Sequence, residues 1–143
     1  MEIMLVQKLS EDAIMPKYAC KNDAGMDLFS IEDCVLEPGD FRIVDTGIAI
    51  ELPEGTEGQL RAKSGLAAKF GVGLVNGIGT IDAGYRDSIG AILINHGKKP
   101  FIVEKGMKIA QLIIMNIERV IVLPSEKLFG TDRKGGFGST GLK

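Results

Sequence analysis

Five short segments carry residue types that regular structure alone does not require: AGMDL (Ala24 to Leu28), RAKSGLA (Arg61 to Ala67), NGIGTIDAGYRDSIG (Asn76 to Gly90), KIAQL (Lys108 to Leu112) and the C-terminal RKGGFGSTG (Arg133 to Gly141). In the second, Lys63, Ser64 and Gly65 set a cation, a hydroxyl and a glycine amide at the start of a short helical turn, where outward N–H groups favour phosphate oxygens. This is a phosphate cradle but not a nucleotide P-loop, because the GxxxxGK[ST] spacing is absent. The third segment has apolar flanks around GYRDS, the pattern of a β-hairpin whose backbone could offer a donor and an acceptor to the edge of a base. Asp82 precedes Tyr85 by a few residues, so a carboxylate and a ring could share one pocket. A carboxylate there could orient and deprotonate a water, general-base work that contributes about 10²–10⁴ in rate. In the tail, four glycines surround Phe137, with Ser139 and Thr140 beside it. A large ring in an exposed tail gains nothing unless it packs on something, and bare amides and hydroxyls around it suit a segment that closes over a ring and its phosphates.

Taken singly, each of these residues also has a structural explanation. Asp27 reads as a turn aspartate, Ser64 as a helix N-cap, Gln111 as an exposed strand residue, Tyr85 as a core ring with its hydroxyl at the surface, and the tail as a disordered end. The joint pattern is what argues for chemistry.

The elements that must position these residues read as strands. The segments FRIVDTGIAIELPEG, SIGAILIN, FIVEKGMKIAQLIIMNI and RVIVLP alternate with period two, and glycine and proline punctuate them. Helical spacing is confined to SGLAAKFG, Ser64 to Phe70, and to SEKL near the end. With 19 glycines at the turns, the class is an all-β barrel or sandwich of short strands. At 143 residues the chain is one domain with a real core. Strand edges in such a chain need protection, and a symmetric oligomer is one solution.

Composition narrows the function classes. No stretch approaches the ~20 apolar residues of a bilayer crossing, and the N-terminus lacks the pattern of a secretory signal. A net charge of −2 argues against a broad grip on nucleic acid or acidic lipid, while leaving room for a small anion held by local cations. Cys20 and Cys34 are the only cysteines and read as two ordinary buried thiols of a reducing compartment; His96 is the only histidine. Structural zinc is thereby set aside, and any metal must be a hard cation such as Mg²⁺.

In this order and at these separations the five segments resemble the five motifs of the trimeric dUTPases, the deoxyuridine triphosphate nucleotidohydrolases. GxIDxxYR, IAQL and GGFGSTG together are the specific part, and the resemblance runs from about Ala24 to Gly141. It implies an all-β, distorted jelly-roll-like β-barrel of the β-clip type with one short helix. It further implies a homotrimer whose three active sites lie at subunit interfaces, each built from all three chains. Residues 1–132 would be the barrel domain and 133–143 a flexible C-terminal arm closing over a site. The implied reaction is hydrolysis of dUTP to dUMP and pyrophosphate, which clears dUTP from the nucleotide pool and supplies dUMP for dTMP synthesis. The implied setting is intracellular and soluble, whether cytoplasmic, nuclear or viral, with no nucleic-acid or membrane partner.

Residue by residue, Asp82 matches the aspartate that activates water, and Tyr85 the ring under the deoxyribose that a 2′-hydroxyl would strike. Asn76, Gly79 and the backbone near Ile89 and Gly90 match the uracil-reading elements, and Phe137 the ring that covers the base. Lys63, Ser64, Gly65 and Gln111 match phosphate-contacting positions, as do Arg133, Lys134, Gly138, Ser139 and Thr140 in the arm. Mg²⁺ would be held mainly by the substrate phosphates, with Asp27 reaching it indirectly through water.

Three positions depart from the pattern. Lys63, preceded by Ala62, stands where PRSG has arginine, keeping the charge without the planar fork. Asp87 takes the glycine place of YRG. Arg133 stands four residues before Phe137 rather than five, so that either Arg133 or Lys134 serves the γ-phosphate. The rival readings are a dCTP deaminase on the same scaffold, which would need a glutamate where this segment ends in Asn95, a non-catalytic dUTP-binding sensor, and a purely structural β-trimer.

Overall fold

The computed structural model describes residues 3–133, 135–137 and 139. Eleven strands and one helix follow in chain order among them: β1 Leu5–Lys8, β2 Met26–Phe29, β3 Cys34–Leu36, β4 Phe41–Asp45, β5 Ile48–Glu51, β6 Thr56–Ala62, α1 Ser64–Phe70, β7 Val72–Leu74, β8 Gly79–Asp82, β9 Gly90–Asn95, β10 Phe101–Val103 and β11 Lys108–Asn116. The all-β class with one short helix is as the sequence indicates. The strands form a four-stranded sheet β2-β11-β6-β8, a three-stranded sheet β4-β9-β7 and two pairs, β1-β5 and β10-β3. All pair antiparallel, and they surround one core without closing into a single continuous ladder.

Alternation explains the layering. Thr56, Gly58 and Leu60 of β6 and Ala91, Leu93 and Asn95 of β9 point inward, meeting Leu28, Ile50, Ile109 and Leu112. The helix α1 forms where SGLAAKF offers no β-branched residue, and it stops at Gly71, whose φ of 70° is the left-handed cap that glycine adopts without penalty.

Several expectations are corrected. The run from Arg119 to Pro124 is not a strand, since no described strand pairs with it, and Val120 to Leu123 are 78–89% exposed. A strand-like sequence without a partner edge has nothing to pair with in its own chain. SEKL is not helical either; the Ser125 hydroxyl donates to Lys127 O, a local bond that competes with helix formation. The GYRDS segment is not the tip of a hairpin. β8 pairs with β6 and β9 pairs with β4 and β7, so residues 83–89 cross between sheets. Of the two thiols only Cys34 is buried, and Cys20 is exposed. On β4, Phe41 and Ile43 face outward while Val44 faces the core.

The one fully buried amide explains how the far end of β9 is held. The Asn95 side-chain nitrogen donates to Leu36 O and Lys99 O, each at 2.8 Å, and its oxygen accepts from Gly97 N–H at 2.8 Å. Replacing Asn95 with alanine strands three backbone groups, and the expected loss is about 3 kcal/mol or more, read as a lower denaturation midpoint. A midpoint unchanged from the parent would show that water or backbone relaxation replaces the amide.

Candidate active site

The predicted catalytic position and five of the six predicted base-and-sugar positions come together, Phe137 being the exception. Asn76, Gly79, Asp82, Tyr85, Ile89 and Gly90 line one cavity of about 270 Å³, with Leu60, Thr80, Ile81 and Ile92 completing it. The left-handed backbone of Gly77 (φ 70°) turns the chain so that Asn76 stands beside β8. A Cβ on Gly79 would sit 3.4 Å from the Asn76 side-chain nitrogen and 3.2 Å from Leu60 Cβ, so the glycine leaves the amide room. Asp82 ends β8; its carboxylate is exposed and has no hydrogen bond or ion pair among the described residues. The Tyr85 N–H donates to Asp82 O at 3.0 Å, closing a turn between base and ring, and the Tyr85 hydroxyl donates to Ser88 O at 3.0 Å.

Ile89 enters this cavity differently from the sequence expectation. Its N–H donates to Ile48 O at 2.8 Å. Its carbonyl accepts from the Thr46 hydroxyl at 2.6 Å and from Thr46 N–H at 3.0 Å. Both backbone groups are therefore engaged inside the fold, and Ile89 contributes an apolar wall. Thr46 was invisible to motif reasoning because a buried threonine beside a glycine turn reads as ordinary strand sequence.

The predicted phosphate-binding positions form a second cluster. The Asp27 side chain is 3% exposed, with Lys63 Nζ 2.5 Å from one oxygen and Lys108 Nζ 2.7 Å from the other. Burial pushes the Asp27 carboxyl up, but hydrogen bonds and charge from Lys108 and Lys63 more than offset it and hold it below the usual carboxylate range. Two ammoniums on one carboxylate leave a net positive charge. Lys108 had no role in the sequence reading beyond belonging to KIAQL; a register shift between Lys108 and Ala110 interrupts the β11–β2 ladder beside it, the kind of bulge that re-aims a side chain. Gln111 lies opposite Asp27 on β2 and Arg61 on β6. Gly25 makes that possible, since a Cβ there would meet Gln111 Cβ at 3.2 Å. Lys63 is the residue capping α1, so Ser64 is the first helical residue rather than the cap. The Ser64 hydroxyl has no partner among the described residues, and a Cβ on Gly65 would meet open space.

The structure does not join the two clusters within one chain. Glu57 of β6 is opposite Asp82, Leu60 is opposite Gly79, and Lys63 lies beyond the end of the strand. Six residues of strand span about 20 Å, so Asp82 and the lysine cluster stand far apart. Their order is also reversed for one nucleotide. The Asn76–Gly79 end of the cavity lies nearer Lys63, whereas a nucleotide bound with its base at that end, as the sequence reading expects, would place its phosphates at the Asp82 end. None of the described tail residues lines this cavity. Arg133 is exposed, Phe137 is fully exposed with a φ of 49°, and Ser139 N–H donates to Gly136 O in a turn. Lys134, Gly138 and Thr140 lie outside the described residues. Among the described residues no group of three or more His, Cys, Asp or Glu could hold a metal.

The Asp27 cluster makes a prediction with a defined sign. A carboxyl whose folded pKa is depressed adds stability that is present above the unfolded value, about 3.9, and is lost as pH falls through the folded value. Asp27→Asn should cost about 2–3 kcal/mol at pH 7, below the range for a fully buried pair because both lysines are partly exposed. The gap to the parent should narrow below about pH 4 in urea titrations. A gap constant down to pH 2 would mean that the lysines do not depress this carboxyl.

Comparisons with known proteins bear on the family and the fold. The dUTPase family model matches residues 11–141. The chain is 58% identical over 137 residues to the deoxyuridine 5′-triphosphate nucleotidohydrolase of Clostridium tetani, covering 95% of this chain and 94% of that protein. It is 51% identical over 143 residues to the protein of the same name from Crocosphaera subtropica, covering 99% and 100%. Among solved structures, a point variant of the Staphylococcus bacteriophage 80alpha dUTPase with dUpNHpp superposes with a TM-score of 0.90 at 30% identity, over 98% of this chain and 99% of that one. A variant dUTPase from phage phi11 of S. aureus, described with a structural Mg(II) ion, superposes with a TM-score of 0.81 at 30% identity over 87% and 97%. With five motifs in order, a matching fold and half or more of its residues shared with these relatives, the chain belongs to the dUTPase family.

Proposed function

We propose that this protein hydrolyses dUTP to dUMP and pyrophosphate at sites assembled between three copies of the chain. The observation that carries the shared site is the opposed placement of its two halves along β6. Asp82 must reach a water in line with the α-phosphorus, at hydrogen-bond distance, and the groups that hold the β- and γ-phosphates must follow immediately. A neighbouring copy can bring its Lys63, Ser64, Gly65 and Gln111 to the Asp82 end of the cavity; the same chain cannot. The exposed run Val120 to Leu123 and the outward Phe41 and Ile43 support an assembly that covers them.

In the reaction, Asp82 accepts a proton from water as the water oxygen bonds to the α-phosphorus and the bond to the bridging oxygen breaks. Asn76, Gly79, Ile89 and Gly90 hold the base, and Tyr85 lies under the sugar. Lys63 and the amides at Ser64 and Gly65 meet charge on the phosphates, with Gln111 alongside. Phe137 of the arm would cover the base while Ser139, with Arg133 or Lys134, Gly138 and Thr140, holds the outer phosphates. Mg²⁺ would be held mainly by the triphosphate, with Asp27 reaching it through water, and would supply charge neutralisation there. The donor set fits this, because Asp27 is already engaged by two lysines and leaves at most a water-mediated contact. The deaminase reading is disfavoured by Asn95, whose amide is consumed by three backbone groups.

Purified protein with Mg²⁺ should convert dUTP to dUMP and pyrophosphate and leave dCTP, dTTP and UTP largely intact; ammonia from dCTP would overturn the reading. Asp82→Asn should lower turnover by about 10²–10⁴ with nucleotide still bound. The shared site has its own test, in which Asp82→Asn chains are refolded together with chains carrying Ser64→Ala and Gln111→Ala. Random mixing should restore roughly a quarter of parental turnover if each site draws on different chains of a closed oligomer. No recovery, from variants that each assemble, would place the site in a single chain.

A further inference from the structure

The loop between β8 and β9 starts directly after the proposed base, Asp82 at the end of β8, and carries the proposed sugar-stacking ring, yet residues 83–89 belong to no sheet. Its far end is tied to the body through Ile89, bonded to Ile48 and Thr46, and through the Ser88 hydroxyl, which donates to the Asp45 carboxylate. Its near end depends on a different device. One guanidinium nitrogen of Arg86 donates to Ala83 O at 2.6 Å and to Tyr85 O at 2.9 Å, and reaches toward Ile50 O of β5 at 3.5 Å. The other terminal nitrogen lies 3.8 Å from the Glu51 carboxylate, an exposed pair of little energetic weight. The two short bonds fall on the carbonyls that flank the turn from Asp82 to Tyr85.

We propose that Arg86 is a positioning residue whose guanidinium clamps the Ala83 and Tyr85 carbonyls, fixes the Tyr85 ring relative to Asp82, and thereby sets the discrimination between deoxyribose and ribose. The proposal rests on the dUTP-hydrolysing reading and deepens it. Excluding a 2′-hydroxyl relies on the repulsive wall of a ring held to a fraction of an ångström, and a displacement of about 1 Å is enough to change rates by about 10²-fold. The Tyr85 ring is braced at its hydroxyl by Ser88 O and at its backbone by the turn and by Arg86. Without the guanidinium, the Ala83 and Tyr85 carbonyls turn to water and the ring's anchor is halved. The planar guanidinium matters, because one of its nitrogens serves both carbonyls with two N–H groups held in a fixed plane, which an ammonium on a flexible stem does poorly.

The test compares kcat/KM for dUTP and for UTP in the parent, Arg86→Ala, Arg86→Lys and Glu51→Gln, with thermal melts of each. In Arg86→Ala the dUTP value should fall about 10–100-fold, UTP should fall much less or rise, and the dUTP/UTP ratio should drop at least about tenfold. Arg86→Lys should recover part of the ratio, and Glu51→Gln should match the parent, since the clamp acts on carbonyls. Equal losses for both substrates, or a parental ratio in Arg86→Ala, would overturn the proposal. If Arg86→Ala does not fold, the lysine variant decides: a ratio identical to the parent would overturn the clamp, and an intermediate one would support it. A parent without dUTP hydrolysis would instead sink the underlying reading.

Discussion

The length of one strand governs the rest of the design. β6 is the only strand hydrogen-bonded to both β11 and β8, so it carries the lysine cluster past one end and the partner of Asp82 near the other. Antiparallel pairing is rigid in register, because a slip by one residue would turn every inward side chain outward. The separation of about 20 Å along six residues is thus a fixed property of the fold and not an adjustable one. A nucleotide cannot bridge it in the order its chemistry requires. On the proposed reading, assembly is then a requirement of the reaction, beyond the usual need to cover edges and apolar faces.

Electrostatics at the lysine cluster follow from the same framework. Asp27 sits on β2 opposite Gln111, buried, and draws Lys63 from the cap of α1 and Lys108 from the start of β11 onto its two oxygens. A buried carboxylate alone would be costly, and two ammoniums satisfy it while keeping a surplus positive charge at the helix start. The carboxylate orients cations that would otherwise be long, mobile stems. Lysine in place of the family's usual arginine is consistent with this arrangement, since a single compact ammonium can meet one carboxylate oxygen while its remaining donors stay available.

The sequence made most of this legible where the signal was chemical. The strand runs around Ile48, Leu93 and Leu112 read correctly because their alternation reflects a half-buried pleat, and Ser64 to Phe70 read as helix because a glycine stop follows. Five of the six positions expected to hold base and sugar, Asn76, Gly79, Tyr85, Ile89 and Gly90, fell into one cavity with Asp82 because one strand and its flanking turns bring them together, whereas Phe137 stands outside it. What failed was partner-dependent. Residues 119–124 have strand composition, but composition says nothing about whether an edge is available in the same chain. The GYRDS segment looks like a hairpin from its flanks, and only the competing pairings of β8 with β6 and β9 with β4 show otherwise. Lys108 and Thr46 were missed because a basic residue at a strand start and a buried threonine are common in any β protein. Their roles depend on what lies across the sheet.

The exposure of Asp82 completes the argument for a site that exists only in the assembly. In one chain this carboxylate faces water and makes no hydrogen bond or ion pair with a described residue, a setting in which a developing charge is screened and a general base would have no oriented partner. The chain also offers it an acidic neighbourhood, since Glu54 and Glu57 line the adjoining cavity with it and Arg119 is the only cation there. Triphosphate would be repelled from that surface by the carboxylates alone. On the proposed reading, cations and amides from a second copy would reverse the sign of the local field, and Phe137 brought over the base would exclude water. On that reading each chain on its own is a weak site, and the reaction would be confined to the assembled, closed state, where a reactive water is held against one phosphorus and bulk water is excluded.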